Sequence, residues 1–260
     1  MYDLNWTVQI DKSTTLAITD GTNSVSIVVN AISAGGTSDV ATDFVLNLSA
    51  NGKSGSNRDW SYNQITTDFS GFDWKSNGWE NGALVVNNGA LATINYKPCS
   101  VPISSQGRTV SIRFKTSDES ANEAIISCYA ENKDGFVIYP QKAIIYRGQQ
   151  SIYTEFGTED DYKEVTFVWH NSEYGNLSMI YVNGTSQMVL YSGNSASNLS
   201  NINITANDTS VYVSNVVAYE RALTFNEVQA LYATHKAEGV TEYFKENSVF
   251  NSNVTLSNNA

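Results

Sequence analysis

The residues NVVAYERALTFNEVQALYATHK, at positions 215–236, hold the chain's one convincing junction of strand and helix. In extended chain, Val211, Val213, Asn215, Val217 and Tyr219 fall on one side, and Tyr212, Ser214, Val216 and Ala218 on the other. The period then changes. Thr224 is placed to cap a helix, with Glu227 three residues on to complete a capping box, and Leu223 and Val228 stand where a hydrophobic staple clamps the entry. Val228, Leu231 and Tyr232 supply one apolar stripe, which predicts a short helix over residues 225–234. His235 then lies in the last turn, where a cation complements the helix dipole.

Upstream of this junction the chain reads as short strands. Leu4, Trp6, Val8 and Ile10 alternate, and residues 16–19 and 25–32 follow with Asp20-Gly21 as a turn between them. SAGGTS, residues 33–38, breaks this opening segment from what comes next. Phe44, Leu46 and Leu48 begin the main run. Asn88-Gly89, Asp134-Gly135 and Asn183-Gly184 are turn signals between alternating segments such as Val165, Phe167 and Trp169. Strands at this spacing predict an all-β, antiparallel jelly-roll sandwich with one short C-terminal helix. The expected layout is an N-terminal β segment over 1–42, the sandwich over 43–237 and a tail over 238–260.

Two segments carry a family likeness. VVAYERALTFNEVQALY resembles the last strand and closing helix of laminin-G-like domains, which are concanavalin-A-like jelly rolls. VTFVWHNSEYGNLSMIYVNGTSQMVLY, residues 165–191, is similar to that family's central hairpin with its Y-V-N-G turn. The run from Trp60-Ser61-Tyr62-Asn63 to Trp79, with residues 125–128 and 140–143, further resembles laminin-G-like structural proteins of tailed phages of gut bacteria. The resemblance implies the sandwich fold and a displayed, adhesive domain. It leaves the ligand open, because one fold hosts many functions.

Composition excludes several classes. The 260 residues carry a formal net charge of −11, which speaks against a nucleic-acid footprint. No apolar run reaches membrane-spanning length. MYDLNWTVQIDK lacks the basic start and apolar core of a secretory signal, which is consistent with cytosolic synthesis, a processed or trimmed chain, or release by lysis. Cys99 and Cys128 are too few for a disulfide framework and read as buried thiols.

Candidate chemistry is sparse. Sandwich glycosidases need two carboxylates facing the sugar, whereas Glu155, Glu159, Asp160 and Asp161 sit in a turn-like acidic run. No Cys/His spacing suits zinc, and no nucleophile elbow or phosphate loop appears. No enzyme is expected. The family likeness implies that calcium could bind at the sheet rim, with Asp134 and Asp208 as donors, although each stands in a turn that favours Asp for backbone reasons. No other cofactor is implied. Trp74 and Trp79, in GFDWKSNGW, have the local chemistry of a sugar platform, although a tryptophan in a sandwich is more often packed.

The expected role is therefore a non-enzymatic structural or adhesive virion protein of a tailed phage. Its partners would be other virion proteins or copies of itself, and host surface glycan, without nucleic acid or membrane insertion. The alternative is an extracellular carbohydrate-binding module of a bacterial surface or secreted protein.

Overall fold

The computed structural model describes residues 14–19, 24–29, 40–55, 57–96, 107–118, 120–129, 135–156, 161–171, 176–192, 199, 201–247 and 255–256. They belong to two compact units. One draws on both ends of the chain, up to Ser38 and from Tyr243, and the other spans Asp39–Glu242. In the first, β1 (Thr14–Thr19) and β2 (Ser24–Val29) form an antiparallel hairpin, with Leu16 opposite Ile27. Thr255–Leu256 pairs with the other side of β1.

The larger unit follows the alternating sequence closely. It runs β3 (Leu46–Ser49), β4 (Thr67–Ser70), β5 (Gly78–Glu80), β6 (Ala83–Val86), β7 (Leu91–Ile94), β8 (Arg108–Thr116), β9 (Ile126–Tyr129) and β10 (Gly135–Tyr139). It continues with β11 (Lys142–Arg147), β12 (Gln150–Glu155), β13 (Lys163–His170), β14 (Asn176–Val182), β15 (Thr185–Ser192), β16 (Ile202–Thr205), β17 (Val211–Tyr219) and the helix α1 (Phe225–Asn247) as far as Glu242, the helix residues from Tyr243 being counted with the other unit. One sheet has the order β12-β11-β10-β9-β16-β7-β4. The other runs β15-β14-β13-β8-β17-β6-β5, and β3 also pairs with β17. Between them lies one apolar core that takes Val110, Ile112, Phe114, Val165, Phe167 and Trp169 from one sheet and Ile126, Phe136, Ile138 and Ile145 from the other. Phe136 and Phe167 stack across it with centroids 4.4 Å apart. This is the antiparallel sandwich expected from the pattern.

The alternation in β17 is interrupted. Its register against β8 shifts between Val213 and Asn215, so Ser214 is an extra residue. Before this bulge Val211 and Val213 enter the inter-sheet core, and after it Val216 and Ala218 do. Val217 and Tyr219 turn to the outer face instead, under the helix. The single-face reading of Val211 through Tyr219 is thereby corrected, because one inserted residue exchanges the two faces of a strand. The bulge also marks where β6 and β3 share one edge of β17, with β6 on Val211–Val213 and β3 on Asn215–Ala218.

The helix begins where expected. Thr224 N–H and Oγ1 both donate to Glu227 Oε2, at 2.8 and 2.9 Å, and Glu227 N–H returns to Thr224 Oγ1 at 3.3 Å. Arg221 braces this cap, giving Nε and Nη2 to the Asp43 carboxylate and Nη1 and Nη2 to Glu227. That guanidinium holds both carboxyls below their ordinary range. Leu223, Val228 and Leu231 pack with Val168, Tyr181, Val217 and Tyr219 in a second core. Each such aliphatic side chain contributes about 1.5–3 kcal/mol by burial.

The helix runs to Asn247, well past residue 234. His235 is consequently interior to it, not terminal, and is buried with Nδ1 2.9 Å from Glu164 Oε2. Glu164 Oε1 accepts from Ser111 Oγ at 2.9 Å. The outer face of the second sheet therefore carries a buried polar patch beneath an otherwise apolar helix contact.

Candidate functional site

The sequence GFDWKSNGW connects the edge strand of one sheet, β4, to the edge strand of the other, β5. A segment that bridges two edges must cover the open side of the sandwich, and aromatic side chains supply that cover. Trp60 is buried there, its indole N–H donated to Ser49 O at 3.2 Å. Trp79 meets it edge-on at 5.6 Å, donates its own N–H to Asn57 O and packs on the inter-sheet core. Phe69 touches Phe72, Trp74 and Trp79 at centroid distances of 4.9, 5.0 and 6.4 Å.

Trp74 differs from its neighbours. It is half-buried and is not among the residues packed on the inter-sheet core. Its φ is +55°, a left-handed conformation that a bulky side chain rarely adopts. The turn that holds it there is built by Asp73. Asp73 Oδ1 accepts the N–H groups of Lys75, Ser76 and Asn77 at 3.0, 2.8 and 3.1 Å, and Oδ2 accepts Ser76 Oγ at 2.5 Å. The Ser76 hydroxyl and those three N–H groups hold the Asp73 carboxyl far below its ordinary range. Asn77 Oδ1 then accepts Asn87 N–H at 2.8 Å, and Asn87 Nδ2 donates to Ser76 O at 2.6 Å, which ties the turn to β6. On this frame the guanidinium of exposed Arg58 lies 5.3 Å from the Trp74 ring centroid.

The two sequence candidates therefore separate. Trp79 closes the core, and Trp74 with Arg58 forms a fixed aromatic and cationic surface flanked by exposed Asp59, Asp73, Lys75 and Ser76. Arg58 and the turn-building role of Asp73 were not singled out in the sequence. The Asp-x-x-Ser spacing, which favours an Asx turn, is the signal that carried the latter.

The other candidates are more dispersed. Asp208 is exposed in a loop whose backbone is held by Glu123, which accepts the N–H groups of Asn207 and Asp208 at 2.8 Å each. Asp134, Glu159 and Asp160 lie outside the described residues. Among the described residues no three His, Cys, Asp or Glu side chains converge as a metal cluster. Glu155 lines a groove of about 320 Å³ with Phe156, Lys163, Val182, Asn183, Thr185 and Gln187, at the opposite edges β12 and β15. Glu155 is the one carboxylate in that lining. Cys128 is buried in the core, and Cys99 lies outside the described residues. Among the described residues no helix is long and apolar enough to cross a membrane.

No family model and no curated protein matches the chain. Solved structures do match. The botulinum neurotoxin serotype D binding domain aligns with a TM-score of 0.56 at 12% identity, covering 74% of this chain and 51% of that one. The serotype G binding domain aligns at 0.52 and 17% identity, covering 75% and 51%. The binding domain of botulinum neurotoxin DC, solved in complex with SialylT, aligns at 0.56 and 11%, covering 74% and 51%. The likeness is one of fold. The chain spans about half the length of each of these binding domains, and at such identities no residue of theirs transfers to it.

Proposed function

We propose that this chain is a non-enzymatic adhesive module that binds surface carbohydrate through Trp74, and that a tailed-phage virion displays it. One observation carries the binding site: Trp74 is held half-buried in a left-handed conformation by a fully hydrogen-bonded Asp73 turn. Strained backbone persists where the surroundings over-determine it, and ligand clamps are such places. A fixed indole face suits the apolar face of a sugar ring, and the neighbouring Arg58, Asp59 and Lys75 supply hydroxyl and carboxylate partners at its rim. The solved binding domains that share the fold, one of them in complex with SialylT, support a receptor-binding reading of the sandwich. The virion assignment rests on the phage-like run from Trp60 to Trp79.

The test is binding of the full chain to purified bacterial surface polysaccharides, with Trp74→Ala alongside. Wild-type protein is expected to bind at least one polysaccharide. The variant should lose tenfold or more in affinity while keeping its circular dichroism spectrum. Equal binding by Trp74→Ala would remove the site. Antibody against the chain should label intact phage particles, and labelling of bacterial surfaces alone would favour the secreted module.

A further inference from the structure

Arg108 opens β8 and, by the alternation that sends Val110, Ile112 and Phe114 into the core, points between the sheets. Its neighbour Thr109 faces the other way, with Oγ1 bonded to Arg221 O and Leu223 N–H. Arg108 is 2% exposed, its cross-strand partner is fully buried Trp169, and its Cζ stands 5.8 Å from the ring centroid of buried Tyr96. Neither Nε nor Nη1 has a hydrogen-bond partner. Arg147, which is also deeply buried, shows how such a group is ordinarily accommodated. Arg147 gives Nη1 to Leu177 O at 2.8 Å and Nη2 to Asn171 Oδ1.

A guanidinium is a permanent cation with five N–H donors and no acceptor. Buried charges in folded proteins are paired or hydrogen-bonded, because an unpaired one is strongly destabilising. The Tyr96 ring face attracts the cation but offers no acceptor to its N–H groups.

We propose that the end of the inter-sheet core at Arg108 is a binding site for one small monovalent anion, a chloride or a formate-sized carboxylate, which accepts from the guanidinium. One cation balances one negative charge, and buried Tyr96 and Trp169 flank the guanidinium with aromatic rings. The site is separate from the Trp74 surface and stands or falls independently of it.

The experiment compares melting temperatures of the full chain in sodium chloride, sodium formate and sodium gluconate at equal ionic strength, with Arg108→Met alongside. Chloride and formate should raise the wild-type midpoint saturably relative to bulky gluconate, by roughly 5–10 °C at a hundredfold excess over Kd. Arg108→Met should show no difference among the salts and should melt no lower than wild type in gluconate, since methionine leaves no buried charge. Chlorine-35 NMR of the unmodified chain supplies an arm that needs no folded variant: excess line broadening should appear with protein and be reversed by formate. Identical wild-type midpoints in all three salts overturn the proposal. So does an undiminished anion response in Arg108→Met, or broadening that formate leaves unchanged.

Discussion

Gly107 sits at the head of the central strand β8 with φ +76°, and a Cβ there would stand 2.0 Å from Trp169 O and 3.1 Å from both Trp169 C and the Ala222 Cβ. Gly107→Ala therefore incurs two costs. The left-handed backbone costs an L-residue about 1–2 kcal/mol. The collision is with backbone that β8 and β13 hold in register, not with the end of a flexible side chain, and forced overpacking of this sort costs a further ~1–3 kcal/mol. Gly52→Ala is the control, because Gly52 has φ +73° with nothing within 4 Å of its Cβ. It isolates the backbone cost. Urea unfolding followed by tryptophan fluorescence suits the comparison, since Trp60, Trp74, Trp79 and Trp169 all lie in the larger unit. Gly107→Ala should be destabilised by about 2–5 kcal/mol, lowering the midpoint by roughly 1–2 M, with Gly52→Ala near 1 kcal/mol. If the two variants lie within ~0.5 kcal/mol of each other, the tight approach of β8 to β13 at Gly107 is wrong.

Three further outcomes are expected. Asp43 and Glu227 have folded-state pKa values below their unfolded ones, so the stability they contribute is present above the unfolded carboxylate range of about 4 and is lost as pH falls below it through their lowered folded values. Because Asp43 is 57% exposed and screened, Glu227 carries most of it; the acid slope of the melting temperature should flatten in Arg221→Met, and an unchanged slope refutes the clamp. Trp60→Ala should cost about 3–5 kcal/mol and Trp74→Ala under about 2 kcal/mol in thermal unfolding, and a reversal of that order would place Trp74 in the core. Reducing-end release from glucans and related polysaccharides should stay at the blank, and any turnover abolished by Glu155→Gln or Asp161→Asn would make the chain an enzyme.

How much of this was legible in the sequence depended on whether the cause was local. The capping box at Thr224 and Glu227 could be read directly, since a cap is an interaction between residues three apart. So could the inward set Val165, Phe167 and Trp169, because one strand period suffices to find it. The faces of β17 could not be read, since nothing in VYVSNVV marks Ser214 as the residue without an opposite number. A bulge is a property of two strands together. The helix ran beyond residue 234 because its length is not set by the Val228 and Leu231 stripe alone. The buried Glu164 and His235 pair joins residues 71 apart and reads, in sequence, as two ordinary polar positions. At the candidate site the tryptophans were visible as types. Their separation into a packed Trp79 and a presented Trp74 came from Asp73 and from which edge strands the loop connects.

The pairing of Thr255–Leu256 with β1 has a mechanical consequence. The two strands are antiparallel, with Leu256 opposite Ile18 and Thr255 opposite Thr19, so the chain leaves both of them at the same end. Tension applied along the polypeptide from outside these strands then acts in the unzipping direction, breaking one pair at a time instead of shearing them together. The pairing spans two residues, so it would part at low load and lengthen the chain while the sandwich strands remained unloaded. A pulled molecule would show a small early extension, followed by a separate and larger event when the force reaches the sheets.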